Sequence, residues 1–167
     1  MRLPKIIMVP TDFSACAQQA VDYGVKLAKQ LDARLYLMHA WTMPYSRWDE
    51  TGDRPHDVPP QLSAAAKAAL DICLSAARRE LPNVEALYYV GDPVPSILTA
   101  AIDIEADMIV IATHGRSGIS RMIEGSVTEA VTRRAPCPVL AIRHQPSEVE
   151  PQQVSKRDGA TRSSAAR

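Results

Sequence analysis

The feature that most narrows what this chain can fold into is a regular alternation of short, continuous apolar runs with longer segments of helical period. The runs are Lys5 to Pro10, Arg34 to Ala40, Val84 to Val90, Asp107 to Ala112 and Val139 to Arg143. Apolar stretches of that length, stopped by proline or polar residues, are what strands covered on both faces look like. Between the first two, Ser14 can cap a helix whose positions Ala17, Ala20, Val21, Gly24, Leu27, Ala28 and Leu31 share one face, ending near Asp32. Leu62, Ala66, Ala69, Leu70, Cys73, Leu74, Ala77 and Leu81 mark a second helix, ended before Pro82. Gly91-Asp92-Pro93 opens a third, with Ile97, Leu98, Ala101 and Ile104 on its face, and a fourth runs from about Val127 to Arg134. The order βαβαβαβαβ predicts an α/β fold: a five-stranded parallel sheet with helices on both faces and right-handed crossovers.

The 167 residues suit one domain, taken as 1–145, that closes on packing alone, followed by a tail at 146–167 too polar and aperiodic to order itself. Lys156, Arg157, Arg162 and Arg167 in that tail read as solvating charges. Residues 41–60, with Pro44, Pro55, Pro59 and Pro60 and the aromatics Trp41, Tyr45 and Trp48, read as a long loop, either a flap or a disordered segment. Cys16, Cys73 and Cys137 are odd in number and far apart, so they are expected as buried thiols, not as a disulfide or zinc framework. Formal charge is zero, which gives no pull toward nucleic acid or an anionic membrane. No stretch approaches the ~20 apolar residues of a membrane span, and the amino-terminal run is too short for a signal peptide. The expected setting is cytoplasmic.

Ligands of open parallel sheets bind beyond the carboxyl ends of the strands, where strand order reverses. The two chemically richest loops follow the first and fourth strands: Pro10-Thr11-Asp12-Phe13-Ser14 and Ala112-Thr113-His114-Gly115-Arg116-Ser117-Gly118. The second offers amides at Gly115 and Gly118, the Arg116 guanidinium and hydroxyls at Thr113 and Ser117, all suited to anionic oxygens. Gly125-Ser126-Val127-Thr128 adds the amino end of a helix, a natural seat for phosphate, although Ser126 with Glu129 equally fits a capping box. Neither a Walker loop nor a Rossmann glycine fingerprint occurs.

These residues carry a resemblance. Val9-Pro10-Thr11-Asp12-Phe13-Ser14, Ala112-Thr113-His114-Gly115 with Gly125-Ser126 after nine intervening residues, and Pro136-Cys137-Pro138-Val139-Leu140 are similar to the universal stress protein family, over nearly all of residues 3–144. Its ATP-binding members carry G-x2-G-x9-G-[ST]; here Ala112 stands at the first glycine, which a negative φ and a methyl turned away from the ligand would accommodate. The resemblance implies an adenine nucleotide alpha hydrolase-like sheet of order 3-2-1-4-5. It implies that Pro10, Thr11 and Asp12 face the nucleoside and that Ala40 lines the adenine pocket. Ala112, Thr113, His114, Gly115, Arg116, Gly118, Gly125, Ser126, Val127 and Thr128 would surround the phosphates of ATP, with Mg²⁺ held mainly by phosphate oxygens and water. It implies a homodimer through Val139 to Arg143.

The expected function is a nucleotide-binding stress or regulatory protein that signals occupancy to a protein partner through its conformation or assembly. Hydrolysis would be slow at most, since the two loops hold a single Arg116 and no lysine or paired carboxylates. A nucleotide-free interaction module or holdase using residues 41–60 is the alternative. Among the histidines, His39 reads as a hydrogen-bonded core residue, His56 and His144 as solvent-facing, and His114 as either a loop-orienting group or a ligand contact. Asp12 also fits a helix-start cap.

Overall fold

The computed structural model describes residues 3–42, 60–113 and 126–143. Within them the chain runs β1 (Ile6–Pro10), α1 (Ala15–Leu31), β2 (Arg34–Trp41), α2 (Pro60–Arg78), β3 (Val84–Val90), α3 (Pro93–Asp103), β4 (Met108–Ala112), α4 (Ser126–Arg134) and β5 (Val139–Ile142). The sheet order is β3-β2-β1-β4-β5, with every neighbouring pair parallel. The chain thus builds outward from β1 to β3, then returns to the other side of β1 and builds out to β5. A constant crossover hand with a reversed direction of travel must move the helices to the opposite face.

Side chains bear this out. Ile7, Val9, Leu35, Leu37, Val110 and Ala112 pack with Val21 and Val25 of α1 and Leu70 and Leu74 of α2. The alternate residues Met8, Tyr36, Met38, Ile109 and Ile111 pack with Ile97, Ala100 and Ala101 of α3 and Val131 of α4. Because successive strand residues point to opposite faces and both faces are covered, the strands read as unbroken apolar runs. Helix α1 lies close over β1 at Gly24, where a Cβ would come within 2.6 Å of Val9 Cγ2.

Element ends shift by small amounts. α2 gives way after Arg78, not at Leu81, as the amides of Arg79 and Glu80 bond to the carbonyls of Ala76 and Ala77 in a tightened last turn. In α1, Val25 takes a core place that the sequence pattern assigns to Leu27 and Leu31, which are only partly buried. β2 extends to Trp41, whose carbonyl accepts the Gly91 N–H at 2.9 Å. Of the three thiols expected in the interior, Cys73 is buried but Cys16 and Cys137 are only partly so. Cys16 sits in the first turn of α1, and Cys137 leads into a strand at the edge of the sheet, where cover is incomplete. Of the loop expected at 41–60, Trp41 closes β2 and Pro60 opens α2, while 43–59 lie outside the described residues, as do the tail expected at 146–167, His56 and His144. Among the described residues no helix is long and apolar enough to cross a membrane.

Candidate functional site

β1 stays paired with β2 along its whole length, from Ile6↔Arg34 to Pro10↔Met38, and β4 stays paired with β5 as far as Ala112↔Ile142. Between β1 and β4 the register covers Ile7↔Met108 and Met8↔Ile109 and then stops. The cause is legible in the backbone. Thr11 N–H bonds to Met38 O on β2 at 2.8 Å, and Ile6 O accepts Asp107 N–H from the β4 side at 2.9 Å, so odd-numbered β1 groups face β2 and even-numbered ones face β4. At position 10 the group facing β4 belongs to proline and has no hydrogen to give. The hydrogen-bonded ladder between the two strands ends there, at the carboxyl ends of β1 and β4 where strand order reverses, the place where open parallel sheets take their ligands.

The loop after β1 is closely held. Thr11 is buried, and its Oγ1 accepts the Phe13 N–H at 3.1 Å. Asp12 Oδ1 accepts the Ser14 N–H at 3.0 Å, and Ser14 Oγ in turn accepts the Ala17 N–H at 3.1 Å. The N-cap of α1 is therefore Ser14, and Asp12 closes the turn that delivers it. Phe13 takes a left-handed φ of 63°, which returns its ring over the His39 ring at 4.4 Å between centroids. His39 is buried, as expected from the sequence, and its Nδ1 lies 2.8 Å from Thr11 O. Beyond it, the Tyr88 ring of β3 lies 6.2 Å from the His39 ring, with the Lys67 ammonium 5.3 Å from the Tyr88 ring centroid. The Tyr88 hydroxyl oxygen is buried with no hydrogen-bond partner among the described residues, and burial pushes its phenol up from the ordinary range.

On the β4 side, Ala112 is buried in the core beneath α1. Positive φ among the described non-glycine residues is confined to Phe13, Asp32 and Glu105, so Ala112 has the ordinary backbone that any L residue adopts. Its carbonyl accepts the Thr128 hydroxyl at 2.7 Å, which ties the first turn of α4 to the end of β4. Thr113 N–H extends the β5 ladder to Ile142 O at 2.9 Å. Ala40 and Val127 both pack, partly buried, against the core beneath α3 and α4. Ser126 opens α4, and Glu129 lies 3.7 Å from Arg133, one turn further along the helix.

Pro10, Thr11 and Asp12, Ala40, Ala112 and Thr113, and Val127 and Thr128 thus lie at the same end of the sheet, on the strands and helix beside the reversal of strand order. His114, Gly115, Arg116, Gly118 and Gly125 lie outside the described residues. The structure adds His39, which the sequence marks only as a core residue, to the residues around this loop. The available signal was the place of His39 beside Ala40 at the end of a strand adjacent to β1. Among the described residues no group of three His, Cys, Asp or Glu side chains is placed to hold a metal ion.

Fold and site define an open, doubly wound α/β protein with its candidate site at the switch point of the sheet. The model of the universal stress protein family matches residues 4–143. A putative universal stress protein of Staphylococcus saprophyticus is 31% identical over 159 residues, covering 89% of this chain and 90% of the relative. Among solved structures, the universal stress protein UspA of Lactobacillus plantarum superposes with a TM-score of 0.67 at 28% identity, over 83% of this chain and 97% of that one. A universal stress protein described in complex with cAMP superposes with a TM-score of 0.60 at 26% identity, over 84% and 98% of the two chains. The chain belongs to the universal stress protein family.

Proposed function

We propose that this protein binds an adenine nucleotide, ATP with its Mg²⁺ in the fullest case, at the carboxyl ends of β1 and β4, and that occupancy changes its conformation or assembly for a protein partner to read. The observation that carries this reading is the end of the β1–β4 ladder before Pro10 at the reversal of strand order, with Ala112 buried in the core. The substitution of alanine for the expected glycine therefore takes no room from a ligand there. That a family member of 26% identity is described in complex with cAMP supports the adenine-nucleotide class.

Pro10, Thr11 and Asp12 would meet the nucleoside, with Asp12 toward the ribose hydroxyls and Ala40 beside the base. Main-chain amides around Gly115 and Gly125 and the Arg116 guanidinium would take the phosphates, at the positive end of α4. Mg²⁺ would enter with the triphosphate, held mainly by phosphate oxygens and water. The same reading makes this a binding site in a cytoplasmic protein and not a dedicated hydrolase. It assigns the edge strand β5, Val139 to Arg143, to pairing with a second copy.

Native mass spectrometry of the purified protein reads bound nucleotide, metal and subunit count together, and calorimetric titration then ranks ATP, cAMP and adenosine. Bound adenine nucleotide is expected, with Arg116→Ala weakening ATP more than adenosine and Gly125→Val abolishing ATP binding in a folded protein. Absence of binding by all three ligands at millimolar concentration would overturn the proposal.

A further inference from the structure

We infer that His39 is a positioning residue for the nucleoside, one that grips the Thr11–Asp12 peptide from beneath and so sets the aim of the Asp12 carboxylate; this rests on the nucleotide reading above. The sheet itself holds the β1 loop only as far as the Thr11 N–H, which bonds to Met38 O at 2.8 Å. The next peptide, between Thr11 and Asp12, has left the ladder. Its carbonyl is the group that His39 Nδ1 reaches at 2.8 Å, so two successive β2 residues, one by main chain and one by side chain, fix the peptides on either side of Thr11.

A carbonyl has no proton to give, so Nδ1 carries the hydrogen and donates it. The ring cannot swing away from that duty, because it is buried and the Phe13 ring lies against it at 4.4 Å. Phe13 reaches that place through a left-handed φ of 63°, a conformation a bulky residue holds only when its surroundings enforce it. Asp12 therefore stands between two residues, Thr11 and Phe13, that are each held by the same imidazole. With its own Oδ1 receiving the Ser14 N–H at 3.0 Å, the carboxylate is presented in one orientation. A ligand hydroxyl meeting it would find the acceptor already ordered, which is where preorganisation raises affinity.

The test compares adenosine with 2′,3′-dideoxyadenosine by calorimetry on the full chain, so that the ratio of affinities isolates the ribose hydroxyls. The unaltered protein should favour adenosine by roughly tenfold or more, as hydrogen bonds to a charged acceptor do. In His39→Leu, which keeps bulk but has no donor, that preference should collapse toward unity. In His39→Asn, whose amide nitrogen stands near the Nδ1 position, it should return. Should His39→Leu not fold, His39→Gln, whose amide reaches past that position, is read by the same criterion.

A preference retained in His39→Leu or His39→Gln overturns the inference while leaving the nucleotide reading intact. An unaltered protein that binds neither ligand overturns the nucleotide reading, and this inference with it. Independently of any ligand, nitrogen-15 spectra of the ring should show Nδ1 protonated at neutral pH; an unprotonated Nδ1 overturns the inference outright.

Discussion

Thr128 Oγ1 donates to the Ala112 carbonyl at 2.7 Å, joining the first turn of α4 to the last residue of β4 across a separation of sixteen positions. The bond anchors the two ends of the chain that would surround the phosphates. Thr128→Val keeps the shape and removes the donor, leaving the Ala112 carbonyl short of its partner. It should lower stability by about 1 kcal/mol, read as a lower urea midpoint at unchanged slope, and Thr128→Ser should restore it.

Ala112 stands at the first glycine of the motif that the family resemblance implies, yet its backbone is ordinary and its methyl is buried beneath α1. Ala112→Gly should therefore leave ATP affinity unchanged while costing about 1 kcal/mol of stability, from lost packing and added freedom of the unfolded chain. A marked gain in ATP affinity in calorimetry would show that the methyl obstructs the ligand.

Gly24 lies where α1 meets β1, and a Cβ there would stand 2.6 Å from Val9 Cγ2. Alanine normally favours a helix by about 1 kcal/mol over glycine. Here overpacking should reverse the sign, so that Gly24→Ala destabilises by about 1–3 kcal/mol. Val9 is the named obstacle, so in a double-mutant cycle Gly24→Ala should cost less in a Val9→Ala background than alone.

Two thiols and two phenols hold their protons above their ordinary ranges. Burial, and then the Asp22 carboxylate, push the Cys73 thiol up; burial and then Asp107 do the same to Cys137, partly offset by a backbone hydrogen bond at Ile109. Burial raises the Tyr88 phenol, and Tyr89 is raised first by the hydrogen bond it donates to Asp103 Oδ2 at 2.7 Å. In each case the unfolded chain gives up its proton at lower pH than the folded one, so over that window the unfolded state binds fewer protons and stability falls as pH rises. Urea midpoints should decline as pH rises from the ordinary thiol range, about pH 8.5, through the tyrosine range near about pH 10. Tyr89→Phe should flatten the upper part of that decline.

Strand and helix order, the parallel sheet and the turn after β1 were written in local patterns: apolar runs such as Ile7-Met8-Val9, the Ser14 cap, and the proline that ends β1. These depend on neighbours in sequence, on side-chain period and on which backbone groups can donate, and so they survive without three-dimensional knowledge. Val25 replacing Leu31 in the core was less legible, because a helix's buried stripe is set by the angle at which it crosses the sheet, and periodicity alone leaves that angle open by about one position.

What tertiary structure decided was the partnership of residues far apart in sequence. The end of the β1–β4 ladder follows from Pro10 only once β4 is known to be the neighbour on the side its missing hydrogen would have faced. His39 could be read as buried, but that it would spend its Nδ1 hydrogen on Thr11 depends on β1 and β2 standing in one register, twenty-eight positions apart. Thr128 bonding to Ala112 likewise depends on where α4 docks. The physical reason is the range of the forces involved. Turn chemistry and hydrophobic period act over a few residues of chain, whereas a hydrogen bond needs its atoms within about 3 Å in space, and only the packed fold determines which distant atoms come that close.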